Sequence, residues 1–509
     1  MKINSLLVSD GYKQSHLHQY PKGTTLVYSN WTPRNDKHAH TKDGVVVFGI
    51  QAVLMQLKEH FDRNFFNLPK SDVVASFKQG YYEYFGEEPD VTHLVALHDL
   101  GYLPITVKSL PEGSICPIGV PMLTIYNSHS KFFWVTNFLE TILSTDLWLG
   151  MTSATIAKGY KDSLLKWSEL TCIDKGHIPF QAHDFSMRGM AGLWAASVSG
   201  AGHLLSFVGS DTIPAVYYLK KYYNADVKDG IIGCSIPATE HSVMSMGTKD
   251  DELGTFRRLI TETYPNGLVS IVSDTWNLWK VLTDYVPALK TEILAREGKV
   301  VIRPDSGDPV DIICGTIDYT GQRGKSWEEN SKWYNEKYGV YNPKLSDRKG
   351  VIELLWDTFG GTTNSKGFKV LDSHIGAIYG DAISLERQEQ ICARLAAKGF
   401  ASSNIVFGIG SYTYQFNTRD TYGFAMKATY GEVDGVGREI FKDPITGDGT
   451  KKSLVGLLSV QVECGKYVAK DRQTWAEEET GELKTIFNNG HFLNLVTLKE
   501  IRERLSINE

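Results

Sequence analysis

The sequence predicts an α/β protein, in which an irregular (β/α) barrel accompanies a second α+β domain built from the N-terminal and C-terminal segments. Two observations lead to this prediction. In the middle of the chain, short apolar runs each end in a polar residue, and helical patterns often follow them. The two ends of the chain instead mix hairpin-like runs with helices. We expect an N-terminal α+β domain at 1–150, a barrel at 151–424 and a C-terminal segment at 425–509 that rejoins the first domain.

The barrel prediction rests on a series of apolar runs. Strands of parallel βα units are buried on both faces, which makes them nearly continuously apolar. A long series of such units favours a barrel over an open sheet. The runs are Leu204–Val208, Gly230–Ile236, Leu268–Val272, Lys299–Ile302, Ile375–Tyr379 and Asn404–Phe407.

The clearest predicted helix follows Asp381. Ser384 is a favourable N-cap residue, because its hydroxyl can accept from a free backbone N–H of the first turn. Ile391 and Leu395 lie four positions apart on one face, and Gly399 is typical of a C-terminal stop.

The segments outside the barrel have a different pattern. A polar, aromatic stretch at 322–348 indicates a surface insertion between barrel units. The remaining signals are hairpin-like runs at Thr25–Ser29, Val45–Phe48, Ile105–Val107 and Pro121–Tyr126, helical patterns at Gly49–Phe61 and Phe132–Leu147, and a strand-like run at Leu454–Glu463. These signals favour the α+β domain.

Charge and cysteine content exclude some classes of protein. A net charge of −6 provides no basic field that gathers nucleic acid. We find no apolar run of about 18 residues that could span a membrane, and the first residues carry too short an apolar run for a signal peptide. The six cysteines are scattered and form no C-x-x-C pair, which indicates reduced thiols. We expect a globular, cytoplasmic protein.

Charged residues follow the predicted strands at equivalent positions. In (β/α) barrels the active site lies at the carboxyl ends of the strands. A single polar residue there is unremarkable, but a whole set predicts a shared site. The set is Asp211, Glu240, His241, Asp274, Arg303, Asp305 and Asp381.

Three of these residues suggest particular chemistry. His241, beside Glu240, could be a general base, a nucleophile or a ligand, although a lone histidine is more often structural. His241 belongs to no H-E-x-x-H or H-x-H spacing, so we predict no protein-built metal site there. Arg303 could capture phosphate oxygens, and Asp305 could bind ribose hydroxyls or Mg²⁺; a local ion pair in a turn is the simpler alternative.

Glycine turns and one aromatic residue complete the candidates. Gly380 and the Gly410–Ser411 pair could expose backbone N–H groups that cradle a phosphate, or they could be simple tight turns. Phe185 could stack on a flat ring beside Arg188, although the spacing alone favours a core phenylalanine and a surface arginine. The residues alone therefore predict a barrel enzyme that acts on an anionic, phosphorylated sugar, and they do not name the reaction.

Several longer strings occur in an order that matches a known family. They begin with Asp10-x-Tyr12-Lys13 and end with Ile486–Gly490, and so cover nearly the whole chain. In this respect the sequence resembles the nicotinamide phosphoribosyltransferases, a type II phosphoribosyltransferase family. The strings between the two ends are His183–Gly189, Gly209–Thr212, Ser235–Ser242, Val272–Asp274, Ile302–Gly307, Gly380–Asp381, Thr418–Asp420 and Phe441–Pro444.

The resemblance implies the reaction and the assembly. Such an enzyme joins nicotinamide to phosphoribosyl pyrophosphate (PRPP) and releases pyrophosphate in NAD salvage, with Mg²⁺. ATP is a coupling substrate that phosphorylates the equivalent of His241, and Asp274 orients this histidine. The family works as a homodimer with shared active sites, without nucleic acid or membrane.

The resemblance also implies which residues hold the substrates. Phe185 and Tyr12 of the partner subunit sandwich the pyridine ring, and Asp211 accepts a hydrogen bond from the carboxamide. The base, ribose and phosphates are then held by Arg188, Ser235, Glu240, Arg303, Asp305, Gly380, Asp381, Gly410 and Ser411, and from the partner subunit by Arg34, Arg419, Lys427 and Lys442.

Two departures and two alternatives remain. The family commonly has a longer glycine string where this chain has Gly408–Tyr412, and a hydroxyl residue where it has Ala425. A nicotinate phosphoribosyltransferase is the nearest alternative activity, and the negative charge of Asp211 argues against it. A catalytically inactive binding barrel is the alternative from another class.

Overall fold

A computed structural model describes residues 3–316, 345–380, 382–442 and 454–506. Most of the predicted insertion at 322–348 lies outside the described residues. The strands are β1 (Thr24–Thr32), β2 (Val45–Val46), β3 (Ile105–Ser109), β4 (Ile115–Cys116), β5 (Leu123–Asn127), β6 (Ala182–Asp184), β7 (Gly209–Ser210), β8 (Val269–Val272), β9 (Val300–Arg303), β10 (Gly361–Thr363), β11 (Lys369–Leu371), β12 (Ile375–Tyr379), β13 (Ile405–Ile409), β14 (Ala425–Val433), β15 (Val436–Glu439), β16 (Leu457–Glu463), β17 (Lys466–Gln473), β18 (Lys484–Asn488) and β19 (His491–Phe492).

The helices fall between and around these strands. They are α1 (His16–Gln19), α2 (Ile50–Phe61), α3 (Lys70–Phe85), α4 (Thr92–Leu100), α5 (Val135–Phe138), α6 (Glu140–Thr171), α7 (Ile178–Gln181), α8 (Leu193–His203), α9 (Ile213–Tyr223), α10 (His241–Met246), α11 (Glu252–Arg258), α12 (Leu278–Lys280), α13 (Val286–Ala288), α14 (Lys290–Leu294), α15 (Pro309–Cys314), α16 (Leu345–Phe359), α17 (Leu385–Ala397), α18 (Ser411–Gln415), α19 (Trp475–Glu478) and α20 (Leu498–Ser506).

The chain divides into two compact units. The first unit comprises Met1–Ile156, Tyr217–Asp229 and Asn417–Glu509, and the second comprises Ala157–Val216 and Gly230–Phe416. We keep the domain limits at residues 150 and 424 as a prediction.

A seven-stranded antiparallel sheet organises the first unit. Its order is β15-β14-β1-β5-β3-β18-β19, so C-terminal strands flank three N-terminal strands on both sides of one sheet. Trp31 of β1 stacks on Phe424 at 5.2 Å between ring centroids, and both side chains are fully buried. Burial of such large rings is a main source of stability in a core. The predicted second α+β domain, built from N-terminal and C-terminal segments, is confirmed.

A six-stranded parallel sheet organises the second unit. Its order is β7-β6-β13-β12-β9-β8, and β8 and β12 are buried along their whole length, as strands covered on both faces should be. A bridge joins Gly209 to Cys234 at one edge, and another joins Ala238 to Ser270 at the other edge. One short segment thus connects both edge strands and closes an irregular barrel. The predicted fold class is confirmed.

The local prediction for α17 also agrees with the structure. The Ser384 hydroxyl accepts from the backbone N–H of Arg387 at 3.3 Å. Ile391 and Leu395 are buried on one face. Gly399, just after the helix, has a φ of +77°, a conformation that side chains other than glycine rarely adopt.

Two predicted strands are wrong. Leu204–Val208 is buried but continues from α8 as turns, and the strand is confined to Gly209–Ser210. Short apolar runs cannot distinguish a buried turn from a buried strand. Gly230–Ile236 forms a single bridge rather than a strand. A Cβ at Gly233 would come within 3.1 Å of the Leu204 side chain, so glycine lets this segment pass close to Leu204, and its pairing is limited to the bridge at Cys234.

The described helices were compared with the requirements for a membrane-spanning helix. None of them, α6 with its 32 residues included, combines the length and apolarity that crossing a bilayer requires. All six cysteines are free.

Candidate active site

The carboxyl ends of the barrel strands carry the predicted site residues of the second unit. They follow β6, β7, β8, β9, β12 and β13, or lie on the segment that closes the barrel. Because parallel strands end at one edge, this topology gathers their side chains at that edge. These residues are Phe185, Arg188, Asp211, Ser235, Glu240, His241, Asp274, Arg303, Asp305, Gly380, Gly410 and Ser411, whereas Asp381 lies outside the described residues.

A cavity of about 550 Å³ runs through the barrel interior, from the carboxyl ends of the strands to Phe180 and Lys299, which precede β6 and β9. Phe185, Asp211 and Ser235 line it at the carboxyl ends, and Val301 and Ile378 line it from within the sheet. Most of the wall is apolar. A mostly apolar cavity with a few fixed polar groups suits a flat ring that carries one polar substituent.

Asp211 is the carboxylate among the residues that line this cavity. Its Oδ1 lies 2.9 Å from Nε2 of His183 and accepts from the Ser235 hydroxyl at 2.5 Å. Because a carboxylate can only accept, the His183 Nε2 carries the proton. Burial tends to raise the pKa of Asp211, but these hydrogen bonds and the nearby charge of Arg303 outweigh it, and the pKa falls below its ordinary value. Asp211 is therefore a carboxylate at neutral pH, with Oδ2 left to accept from a ligand.

Phe185 forms an aromatic wall beside Asp211. Its backbone N–H donates to the Ile409 carbonyl at 2.9 Å. A Cβ at Gly408 would come within 2.6 Å of the Phe185 ring, so glycine at this position gives the ring its place. Gly408 thus has a steric role, and the ring is half-buried with one part open to the cavity.

His241 begins α10 among carboxylates. Its Nδ1 lies 3.1 Å from the Thr275 hydroxyl, whereas Nε2 lies 4.0 Å from Oδ1 of Asp274 and 3.8 Å from Oδ2 of Asp305. The predicted partner Asp274 is therefore close to the ring but beyond hydrogen-bond distance. Its Oδ2 instead accepts from the backbone N–H groups of Asp305 and Ser306, at 2.8 and 2.7 Å, and fastens the loop after β9.

Arg303 and Asp305 lie together on this loop. Arg303 is mostly buried, and its Nη2 lies 3.5 Å from Oδ2 of Asp305. Its Nε is buried with no hydrogen-bond partner among the described residues, a donor that a ligand could satisfy. A Cβ at Gly380 would come within 2.1 Å of Oδ1 of Asp305, and the Gly380 N–H donates to the Pro304 carbonyl. Gly380 therefore makes room for Asp305, and its N–H already has a protein acceptor.

The turn that carries Arg188 adjoins the start of α18. A Cβ at Gly189 would come within 2.0 Å of the Ser411 hydroxyl, so these two turns are in direct contact. Arg188 is exposed and Gly410 precedes the helix as its N-cap. A cation, a hydroxyl and a helix start thus lie side by side after β6 and β13.

The first unit contains the other predicted site residues. Tyr12 is 61% exposed. Arg34 donates from Nε to the Gly423 carbonyl at 2.8 Å, which places it beside the turn of Arg419. Lys427 lies on β14, opposite Asn30 of β1. These three cations share one end of the β1–β14 pair. Lys442 is exposed after β15, and no hydrogen bond or ion pair connects it to them within the described residues.

The described residues contain no group of three or more histidine, cysteine or acidic side chains that could hold a metal ion. An all-protein metal cage is thus absent from the described part of the chain. Carboxylates that could share a metal with a substrate are present at Asp274 and Asp305.

Sequence reasoning missed two residues of the site. His183 fixes Asp211, and Thr275 holds Nδ1 of His241. Each lies within or next to a string that resembles the family, yet a histidine inside a strand and a threonine after an aspartate give no signal by themselves. Their roles depend on which neighbouring loop they face.

The barrel, the second sheet and the charged strand ends define the nicotinate-type phosphoribosyltransferase fold. A solved structure of nicotinate-nucleotide pyrophosphorylase from Pyrococcus furiosus aligns with a TM-score of 0.53 at 14% identity, covering 100% of this chain and 95% of that one. Human nicotinic acid phosphoribosyltransferase aligns with a TM-score of 0.51, also at 14% identity, covering 98% and 93%. At such identities the likeness shows the fold alone.

Sequence comparison gives the family. The model of the nicotinate phosphoribosyltransferase family matches residues 180–491, and that of the nicotinamide phosphoribosyltransferase N-terminal domain matches residues 4–107. A nicotinamide phosphoribosyltransferase of Acinetobacter baylyi is 48% identical over 99% of this chain and 97% of its own length. One from Xanthomonas campestris pv. campestris is 32% identical over 98% and 97%. The chain belongs to the nicotinate phosphoribosyltransferase family of pentosyltransferases, within its nicotinamide phosphoribosyltransferase branch.

Proposed function

We propose that the protein transfers the phosphoribosyl group of PRPP to the ring nitrogen of nicotinamide, forming nicotinamide mononucleotide and pyrophosphate in NAD salvage. The observation that carries this proposal is the state of Asp211. His183 and Ser235 both bind its Oδ1, which leaves Oδ2 as an anionic acceptor in an apolar cavity beside Phe185. A carboxamide can donate to that oxygen, whereas the carboxylate of nicotinic acid would be repelled by it.

The ring of the base stacks on Phe185 in this proposal. Offset or edge contacts between aromatic rings contribute about 0.5–1.5 kcal/mol beyond area burial. Tyr12 of the partner subunit covers the other face of the ring. The ring nitrogen then points out of the cavity toward the loop of Arg303 and Asp305.

The phosphates and the ribose occupy the strand ends. Arg303 provides a planar fork that suits phosphate oxygens, and its Nε lacks a protein acceptor among the described residues. Asp305 accepts from ribose hydroxyls. The 5′-phosphate and the pyrophosphate are then held by the remaining proposed residues, Arg188, Glu240, Gly380, Asp381, Gly410 and Ser411, and from the partner subunit by Arg34, Arg419, Lys427 and Lys442.

The reaction needs charge stabilisation more than acid–base chemistry. The bond from C1′ to the pyrophosphate oxygen breaks, an oxocarbenium-like centre develops, and the nitrogen lone pair of nicotinamide forms the new bond. Arg303 stabilises the charge that grows on the departing pyrophosphate. Asp274 and Asp305 provide the type of donor set that Mg²⁺ takes together with substrate phosphates, since Asp274 has a buried oxygen without a hydrogen-bond partner among the described residues. Mg²⁺, when bound there, neutralises part of the pyrophosphate charge.

We also propose that ATP couples to the reaction through His241. Thr275 occupies Nδ1, so Nε2 is the nitrogen left to accept the γ-phosphoryl group while ADP departs. The carboxylates of Asp305 and Asp274 lie 3.8 and 4.0 Å from this nitrogen and border the position that the phosphoryl group takes.

Replacing His241 by Ala is expected to remove the stimulation by ATP and to leave weak turnover without ATP. The ratio of rates with and without ATP should fall to about one, because no nucleophile remains to take the phosphoryl group. Incorporation of label from γ-labelled ATP into the protein should disappear as well. The matched control is His374→Ala. It removes a histidine that pairs with Asp372 just before the start of β12, and not at the carboxyl end of a strand. An equal loss of both rates in H241A would contradict a phosphohistidine role.

The proposed assembly is a homodimer in which Tyr12 serves the partner's active site. The segment around Tyr12 is firmly held: the Lys13 ammonium donates to the Asn137 carbonyl at 2.9 Å and pairs with Glu140, and Gly11 lies against Tyr84. Tyr12 itself remains exposed, in edge contact with the His16 ring at 4.8 Å between centroids, so a firmly held segment presents an aromatic side chain at the surface. Such pre-organised aromatic residues are typical of contact surfaces.

Tyr12 could serve the active site of its own subunit or that of the partner. A heterodimer with Tyr12→Ala in one subunit and Arg303→Ala in the other distinguishes these two arrangements. If Tyr12 serves the partner, one of the two sites contains both changes and the other is intact. The purified heterodimer should therefore show the wild-type KM for nicotinamide, whereas the Y12A homodimer should show a KM raised by about tenfold from the lost stacking. A raised KM in the heterodimer, or an active monomer in sedimentation, would contradict the shared site.

The reaction itself is tested by supplying PRPP and Mg²⁺ with nicotinamide or nicotinic acid, each with and without ATP. We expect nicotinamide mononucleotide and pyrophosphate in equal amounts, formed faster with ATP. Product from nicotinic acid instead would move the assignment to the nicotinate activity. Product from neither base would favour an inactive binding barrel. We keep the cytoplasm as the proposed location, because six free cysteines suit a reducing compartment.

A further inference from the structure

Phe185 and Asp211, the two side chains proposed to recognise the base, have neighbours in the chain that are joined to one another by hydrogen bonds to the buried carboxylate of Asp184. Phe185 lies between Asp184 and Ser186, and Asp211 lies between Ser210 and Thr212. Phe185 and Asp211 face the cavity. Their four neighbours are all buried. In both loops, therefore, the residue that recognises the base faces the cavity, and the residues on either side of it are buried.

Asp184 binds both loops at once. Its Oδ1 accepts from the Ser186 backbone N–H at 2.9 Å and from the Ser186 hydroxyl at 2.6 Å. Its Oδ2 accepts from the hydroxyls of Thr212 at 2.7 Å and Ser210 at 3.2 Å. The Asp184 backbone carbonyl also accepts from the Asp211 N–H at 3.0 Å. One residue therefore fixes the loop after β6 relative to the loop after β7.

The surroundings of this carboxylate contain no partner cation within the described residues. Asp184 is fully buried, and its four side-chain hydrogen bonds all come from neutral donors. Burial lowers the pKa of the nearby His203 to about 4, so that imidazole is neutral at physiological pH. His203 instead binds the Gly209 carbonyl at 3.0 Å and the Tyr414 hydroxyl at 2.7 Å. Burying an ion is costly, and hydrogen bonds to it must offset the cost.

Close packing removes other ways of arranging the two loops. A Cβ at Gly200 of α8 would lie 3.2 Å from Oδ2 of Asp184 and 3.0 Å from the Thr212 methyl group. A glycine of the helix thus lets the carboxylate and Thr212 both lie against the backbone of α8. Shifting either loop would break hydrogen bonds that no water could replace in so tight a site.

We propose that Asp184 is a positioning residue that sets the spacing between the aromatic wall of Phe185 and the acceptor oxygen of Asp211, and thereby the selection of the base. This inference rests on the proposed function. Asp184 does not touch the substrate; it acts through the two side chains that do. A ring bound against Phe185 can donate to Asp211 only if the two loops keep their distance, and a misplacement of about 1 Å can cost about 100-fold in rate.

The variant that isolates this effect is Thr212→Val, which keeps the shape of the side chain and removes one hydrogen bond to Asp184. We expect the KM for nicotinamide to rise by about tenfold and the preference over nicotinic acid to fall, with the KM for PRPP unchanged within about twofold. Ser186→Ala should act in the same direction from the other loop. Asp184→Asn should have a larger effect than either, because an amide offers one acceptor oxygen where the carboxylate offers two.

Thr171→Val is the control, because Thr171 is also fully buried and its hydroxyl donates to the Trp167 carbonyl at 2.7 Å and accepts from the Ser402 N–H at 3.0 Å. Melting temperatures should fall in both variants, and at least as much in T171V, while T212V alone changes the KM for nicotinamide. A T212V enzyme with lower thermal stability but wild-type KM and base preference would overturn the positioning role. If the wild-type protein forms no product from either base, the proposed function is wrong. If the wild type is active and T212V has the same KM and base preference, only the positioning role of Asp184 is wrong.

Discussion

Replacing Asp211 by Asn is expected to lower the preference for nicotinamide over nicotinic acid by about 100-fold or more in the ratio of kcat/KM values. His183 and Ser235 both donate to Oδ1, so the asparagine oxygen must take that position. Its NH₂ group then replaces Oδ2 and faces the base. An acceptor that repels a carboxylate becomes a donor that attracts it, while the carboxamide must turn over to present its carbonyl.

The measurement is kcat/KM for each base with the wild type and the D211N variant, at saturating PRPP. The KM for PRPP should not change. Because the pKa of Asp211 lies below its ordinary value, the wild-type preference should persist from neutral pH down to about pH 5. A D211N enzyme that keeps the wild-type preference would show that Asp211 does not select the base.

Replacing Arg303 is expected to reduce kcat by about 1,000-fold as Ala and by about 100-fold as Lys, since a donor aimed at developing charge contributes on that scale. The guanidinium is mostly buried and is held near Asp305, and its buried Nε has no acceptor among the described residues. Lysine keeps the charge but cannot reproduce the planar fork. Single-turnover rates with PRPP and nicotinamide measure the effect on the chemical step.

Arg394→Lys is the control for this substitution. Arg394 forms a partly buried ion pair with Asp311 at 2.6 Å on the helical layer of the same unit, so its replacement should leave kcat near the wild-type value. A kcat for R303K as high as that of R394K would mean that Arg303 serves packing rather than the transition state.

The sequence predicted the edge of the barrel at which the site lies. Strand ends are readable because a buried parallel strand is mostly apolar and stops at or near its first charged residue, as at Asp211, Asp274 and Arg303. The same reasoning failed at Leu204–Val208, where burial without pairing produces an equally apolar run. The pattern of apolar residues in a sequence indicates which positions are buried, but it does not indicate which backbone groups form hydrogen bonds with each other.

The roles of the glycines show the same limit. Gly380 resembles a phosphate-binding turn in the sequence, and in the structure it also leaves space for the Asp305 carboxylate, as Gly408 does for the Phe185 ring. These contacts join loops that are distant along the chain, so no local pattern reveals them. His183 and Asp184 escaped attention for the same reason. Their partners lie on the loop after the neighbouring strand.

The central claim is that an anionic Asp211 selects nicotinamide, and a direct competition tests it best. Equal concentrations of nicotinamide and nicotinic acid are supplied together with limiting PRPP and Mg²⁺, and the two mononucleotides are separated and quantified. The product ratio equals the ratio of kcat/KM values, which is the quantity that specificity controls. We expect nicotinamide mononucleotide to account for nearly all of the product. A mixture dominated by nicotinic acid mononucleotide would contradict the account.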